Sequence, residues 1–121
     1  MRRLVATILV TLAVLLGSAG VSLSADLDKG DAAYEKGDYA TALRELKPLA
    51  EQGHARAQYN LGMMYEFGQG VPQDYETAVK WYTLAAEQGD ASAQGNLGLM
   101  YDKGQGVLQN YETALKWYRL A

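Results

Sequence analysis

In the second half of the chain, apolar residues recur three and four positions apart, the spacing of one face of a helix. Ala57, Leu61, Met64 and Tyr65 form the first such stripe. Gly68-Gln69-Gly70-Val71-Pro72 ends it, with a glycine suited to the C-cap and a proline shortly after. Asp74 is placed to cap the free N–H groups of a second helix, whose stripe is Ala78, Trp81, Tyr82 and Ala85. Gly89 closes that helix, and the pattern starts again. Ala93, Leu97 and Tyr101 are followed by Gly104 and Gly106, by Asn110 at the next cap, and by Ala114, Trp117 and Tyr118.

The recurrence is a true repeat. Ala55 to Ala85 and Ala91 to Ala121 align at an offset of 36 residues without a gap, and roughly 22 of 31 positions are identical. Such an offset belongs to stacked-repeat proteins. Upstream, Tyr39, Thr41 and Ala42 match Tyr75, Thr77 and Ala78, and Glu51-Gln52-Gly53 matches Glu87-Gln88-Gly89. Tyr34 and Tyr39 are separated by four residues where Tyr65 and Tyr75 are separated by nine, so the first unit lacks the longer inter-helix loop. The predicted organisation is a degenerate unit over 26–54, a full unit over 55–90 and an incomplete one over 91–121. Each unit is a helix-turn-helix hairpin, and the predicted fold class is an all-α solenoid. Gly62 and Gly98 fall inside helices, at a cost of roughly 1 kcal/mol each against Ala. Close helix approach is the expected return, with Ala78 and Ala114 facing them and Trp81 and Tyr65 filling the space between units.

Residues 1–25 read differently. Arg2 and Arg3 precede an uncharged run from Leu4 to Leu16, small residues follow to Ala25, and charge begins at Asp26. This is the layout of a secretory signal peptide, with cleavage expected after Ser24 or Ala25. The run of about 13 residues is short of the roughly 20 that span a bilayer. An exported chain, periplasmic or secreted, is expected; the alternative is an uncleaved N-terminal anchor. Without Arg2 and Arg3 the net charge moves from −3 to −5. A mildly acidic chain is a poor partner for nucleic acid or for an anionic membrane surface. The chain has no Cys, which removes disulfides, thiolate metal sites and a cysteine nucleophile.

These residues resemble the Sel1-like repeat family, relatives of the tetratricopeptide repeats. The resemblance stands on Ala55, Ala57, Leu61-Gly62, Tyr65, Gly68-Gln69-Gly70-Val71, Asp74, Ala78, Trp81-Tyr82 and Ala85-Ala86-Glu87-Gln88-Gly89. The second copy is Ala91, Ala93, Leu97-Gly98, Tyr101, Gly104-Gln105-Gly106-Val107, Asn110, Ala114 and Trp117-Tyr118. The resemblance implies a right-handed α-solenoid that serves as an adaptor in protein–protein assembly. The first unit departs from the pattern: it lacks Leu-Gly and Gly-x-Gly-Val, and Glu45-Leu46 stands where Trp-Tyr is expected. It is similar to a plain tetratricopeptide unit acting as a cap. The last unit stops within its second helix, before any polar capping element of the kind such arrays need. Either the chain is a fragment, or the face near Trp117, Tyr118 and Leu120 is a surface for self-association.

Candidate chemistry is sparse. Gly68-Gln69-Gly70 and Gly104-Gln105-Gly106 lack the third glycine and the preceding strand of a dinucleotide loop. His54 is the only histidine and is expected in a surface linker, so two-histidine metal sites are excluded. Glu66 and Asp102 occupy equivalent places one repeat apart, and repetition alone explains the pair. No nucleophile–base–orienter set can be assembled, so no enzyme and no cofactor is expected; a cell-wall or β-lactam hydrolase is the least favoured alternative. In tetratricopeptide relatives the first helix of each unit lines a concave groove. On that basis the groove positions are Arg56, Tyr59, Asn60, Met63, Glu66 and Phe67, then Ser92, Gly95, Asn96, Leu99, Asp102 and Lys103. Tyr59, Met63 and Phe67 form an apolar strip at i, i+4, i+8 that the core does not require. Asn60 and Asn96 each carry a donor and an acceptor for a peptide backbone, or for neighbouring groups of the chain itself. The expected partner is a protein or peptide, with no nucleic acid and, after loss of the signal peptide, no membrane.

Overall fold

The computed structural model describes residues 25–121; the expected signal segment therefore lies outside the described residues, apart from Ala25. Six helices and no strand make up the described residues. They are α1 over residues 25–35, α2 Tyr39–Glu51, α3 Ala55–Phe67, α4 Tyr75–Glu87, α5 Ala91–Lys103 and α6 Tyr111–Leu120. Consecutive helices pair in hairpins, and each hairpin packs on the next: α2 meets α3, and α4 meets α5. The result is an all-α repeat solenoid. None of the described helices is long and apolar enough to cross a membrane.

Local chemistry sets the boundaries. The side chains of Asp38, Asp74 and Asn110 accept hydrogen bonds from the backbone N–H of Thr41, Thr77 and Thr113 at the starts of α2, α4 and α6. Asp90 does the same for α5 through Ala93, whereas His54, at the same place before α3, makes no side-chain cap bond. Gly68 and Gly104 end α3 and α5 with φ of 66° and 67°, a conformation that strains any residue with a Cβ.

Two cores run along the stack. One gathers Ala33, Ala42, Leu46, Leu49, Ala50, Ala57, Leu61 and Met64, with Tyr65 and Trp81 packed against it. The other gathers Ala78, Val79, Tyr82, Ala85, Ala86, Ala93, Leu97 and Met100, with Trp117 against it. Tyr82, not Trp81, is the fully buried member of the Trp-Tyr pair. The internal glycines explain its depth. A Cβ on Gly62 would lie 2.6 Å from Cδ1 of Tyr82, and one on Gly98 would lie 2.7 Å from Cδ1 of Tyr118. Gly30 faces Leu46 in the same way, at 2.6 Å. The degenerate first unit thus keeps the close-contact glycine, and its shorter loop hides that equivalence from an ungapped alignment.

Units are also tied by polar contacts. Gln58 and Gln94, both buried, donate to the carbonyls of Ala50 and Ala86 near the end of the preceding unit's second helix. These carbonyls lie where a helix runs out of its own donors. Gln88 donates in turn to Gln58 Oε1 and to the Gly53 carbonyl. The inter-helix loops of the two full units reach back one unit as well. A Cβ on Gly70 would press on Tyr39, and a Cβ on Gly106 on the Tyr75 carbonyl, so the second glycine of Gly-x-Gly-Val is where the loop crosses the start of the preceding second helix.

Candidate protein-binding face

The first helices of the three units, α1, α3 and α5, share one face, and most of the expected groove residues meet there. Asp31 on α1 receives Nε of Arg56 at 2.6 Å and the side-chain amide of Asn60. This hydrogen bond holds the Arg56 guanidinium firmly protonated. Asn60 is buried, and Asn96 donates to the Tyr82 hydroxyl at 3.3 Å. Both asparagines therefore bond to side chains of the preceding unit. Leu46 stands at the place of Tyr82 in the first unit and has no hydroxyl to offer, so Asp31 supplies the acceptor for Asn60 instead.

At the centre of the face, Tyr59 packs its ring on Tyr82 with centroids 5.9 Å apart. The Tyr82 hydroxyl donates to Oε2 of Glu66. Tyr34 approaches from α1: its hydroxyl donates to Gln69 Oε1 at 2.8 Å and lies 4.0 Å from the Met63 sulfur. Gln69 then donates to the Tyr39 hydroxyl, which places the loop after α3 in the same network. Burial raises the pKa of Tyr34, Tyr59 and Tyr82, and for Tyr82 the hydrogen bond to Glu66 pushes in the same direction. All three stay neutral hydroxyls. Phe67 is 60% exposed at the edge of this cluster. On α5, Leu99 and Lys103 are exposed and Asp102 is half-buried beside Tyr118, whose pKa is raised by desolvation and by Asp102. Among the described residues no group of three or more His, Asp or Glu side chains could hold a metal ion.

Sequence reasoning missed Tyr34 and Gln69. Tyr34 lies four residues after Gly30, as Glu66 lies four after Gly62, so it takes the Glu66 register on α1; the loop-length difference obscured this. Gln69 looked like a loop residue, and its role appears only once α1 lies beside the loop.

The model of the Sel1 repeat matches residues 55–90 and 91–121, more than half of the chain. The chain belongs to the Sel1 repeat family. A Sel1 repeat protein from Oxalobacter formigenes has a crystal structure similar to this one, with a TM-score of 0.74 and 41% identity over 78% of this chain and 39% of that chain. The protein c5321, a protective antigen of uropathogenic Escherichia coli strains displaying an SLR fold, gives a TM-score of 0.77 and 41% identity, covering 88% of this chain and 24% of its own. A stretch of 34 residues is 56% identical to part of the uncharacterized protein NMB1327 of Neisseria meningitidis serogroup B, 28% of this chain and 7% of that protein. The chain thus spans well under half of each of these relatives. Sel1 repeats are typically modules of protein interaction and generally non-catalytic.

Between the two full Sel1 units, the first helix differs at five positions: Arg56/Ser92, Tyr59/Gly95, Met63/Leu99, Glu66/Asp102 and Phe67/Lys103. At 3.6 residues per turn these fall within one arc of about 100°, on the face just described. The exposed residues Glu76, Lys80 and Leu84 of α4 recur unchanged as Glu112, Lys116 and Leu120 of α6.

Proposed function

We propose that this Sel1 repeat chain is an exported adaptor that binds a protein or peptide segment along the face shared by α1, α3 and α5. One observation carries the proposal: two nearly identical units diverge, within their first helices, only on that face. The frame is repeated because stacking demands it, and the inner positions are free to be fitted to a partner. The exposed ring of Phe67 and the half-buried Tyr59 and Met63 supply the aromatic and thioether surface on which binding energy concentrates. The leader-like residues 1–25 support export. A photo-crosslinking residue at Phe67 should capture a partner from the exported fraction. Tyr59→Ala with a crosslinker at the same site should lose that partner while helical circular dichroism is retained. Equal capture by both proteins would refute binding on this face.

A second mode is self-association through the exposed face of α6. Val79 is 8% exposed and Tyr82 is 0% exposed beneath α5, whereas their counterparts Leu115 and Tyr118 are 49% and 38% exposed on α6. Self-association through this face should make the molar mass rise with concentration in light scattering. A strict monomer at millimolar concentration would remove it.

A further inference from the structure

Glu66 carries a charge on this face that no ion pair among the described residues answers. Glu66 is half-buried on the same stripe of α3 as Tyr59 and Met63. Its Oε2 is held by the Tyr82 hydroxyl, while Oε1 has no hydrogen-bond partner among the described residues. No buried polar side-chain atom among the described residues is without a partner, so Oε1 faces solvent. No Lys or Arg among the described residues pairs with Glu66: Arg56 is taken by Asp31, and Lys29 and Arg44 by Glu45. Tyr82, which holds it, carries the ring of Tyr59 with centroids 5.9 Å apart, and Tyr34 reaches the Met63 sulfur of the same stripe from α1.

We propose that Glu66, held by Tyr82 on the stripe that carries Tyr59 and meets Tyr34, receives a single Arg or Lys side chain from the segment bound along this face. The inference rests on this face being the binding face, and it adds the chemistry of the residue recognised. A carboxylate with one free oxygen accepts a charge-assisted hydrogen bond. Aromatic rings beside it attract the same cation through their π faces, arginine most readily. The acidic balance of the described residues favours approach of a basic segment. The site is single. In the third unit Gly95 replaces Tyr59 and Lys103 replaces Phe67, which removes the ring and brings a positive charge beside Asp102. In the first unit Tyr34 itself occupies the carboxylate's register.

The test uses the chain from Asp26 to Ala121 and four synthetic probes of sequence Gly-Ala-X-Ala-Leu, with X as Arg, Lys, citrulline or Glu. Binding is followed by side-chain NMR of the tyrosines. The Arg and Lys probes should shift Tyr34 and Tyr59 resonances in a saturable way, more tightly at low salt. Citrulline should bind more weakly, and Glu not at all. Glu66→Gln keeps the acceptor for Tyr82 and should weaken the Arg probe about tenfold or more, the loss expected for a hydrogen bond to a charged group. Glu112→Gln on α6 should leave it unchanged. Equal binding of Arg, citrulline and Glu probes would overturn the cation site while leaving the face as a binding face. No shift with any probe up to millimolar concentration would also overturn it, and the crosslinking at Phe67 then decides the fate of the face independently.

Discussion

Gly62 and Gly95 sit in helices of the same design, yet methylation of the two should move stability in opposite directions. Replacing glycine by alanine in a helix interior is worth about 1 kcal/mol in backbone propensity. At Gly95 that gain is free, because the new methyl would meet only the Ala121 Cβ at 3.9 Å. At Gly62 the methyl would stand 2.6 Å and 2.7 Å from two ring atoms of Tyr82. Tyr82 is fully buried and hydrogen-bonded through its hydroxyl, so the ring has nowhere to swing. Overpacking of this kind costs about 1–3 kcal/mol, set against the propensity gain of about 1 kcal/mol; the net expectation for Gly62→Ala is a loss of up to about 2 kcal/mol. Gly98→Ala meets Tyr118 at a similar distance, but that ring is partly exposed and can move, so its change should lie between the other two. In thermal unfolding followed by circular dichroism, each kcal/mol moves Tm by roughly 4–8 °C in a domain of this size. Gly62→Ala should therefore melt below the parent chain, Gly98→Ala between, and Gly95→Ala above. A Gly62→Ala protein as stable as Gly95→Ala would refute the claim that the glycine is there to seat Tyr82.

Two further outcomes follow from the hydrogen bonds. Tyr82→Phe removes the hydroxyl shared by Glu66 and Asn96 and should cost about 1–2 kcal/mol in urea unfolding, whereas Tyr118→Phe, at the exposed end, should cost less than half of that. The carboxylates of Asp38 and Asp74 are held below the ordinary value of 3.8 by hydrogen bonds from Thr41 and Thr77. Their contribution to stability is present above that value and is lost as pH falls through the folded pKa. The double variant Asp38→Asn/Asp74→Asn, which copies Asn110, should lose less stability than the parent between pH 5 and pH 2; equal slopes in an acid titration of Tm would refute the capping role.

Much of this fold is legible in the sequence because the chain states it twice. The helical stripe, the caps at Asp74 and Asn110 and the end glycines Gly68 and Gly104 depend on residues close in sequence, and local rules place them. Gln58 and Gln94 do not yield to such rules. A glutamine on a helix predicts solvent, and only the arrival of the preceding helix end at Ala50 or Ala86 turns it into a buried donor. Tyr34 was hidden by a loop shorter by a few residues, which shifts register without changing composition. The candidate face was legible as a set of positions, since the stripe not needed by the core is defined by subtraction. Its internal bonding, with Asn60 committed to Asp31 and Glu66 to Tyr82, depends on neighbours 29 and 16 residues away in sequence that only helix packing brings together.

The loops give the stack a direction. Gly70 rests on Tyr39 and Gly106 on Tyr75, so each unit sits on its predecessor and offers its own Tyr-bearing helix start as the seat for its successor. A chain emerging from its N-terminus finds every seat already built when the next loop arrives. Pulling from the C-terminus should peel the units in the reverse order, one latch at a time.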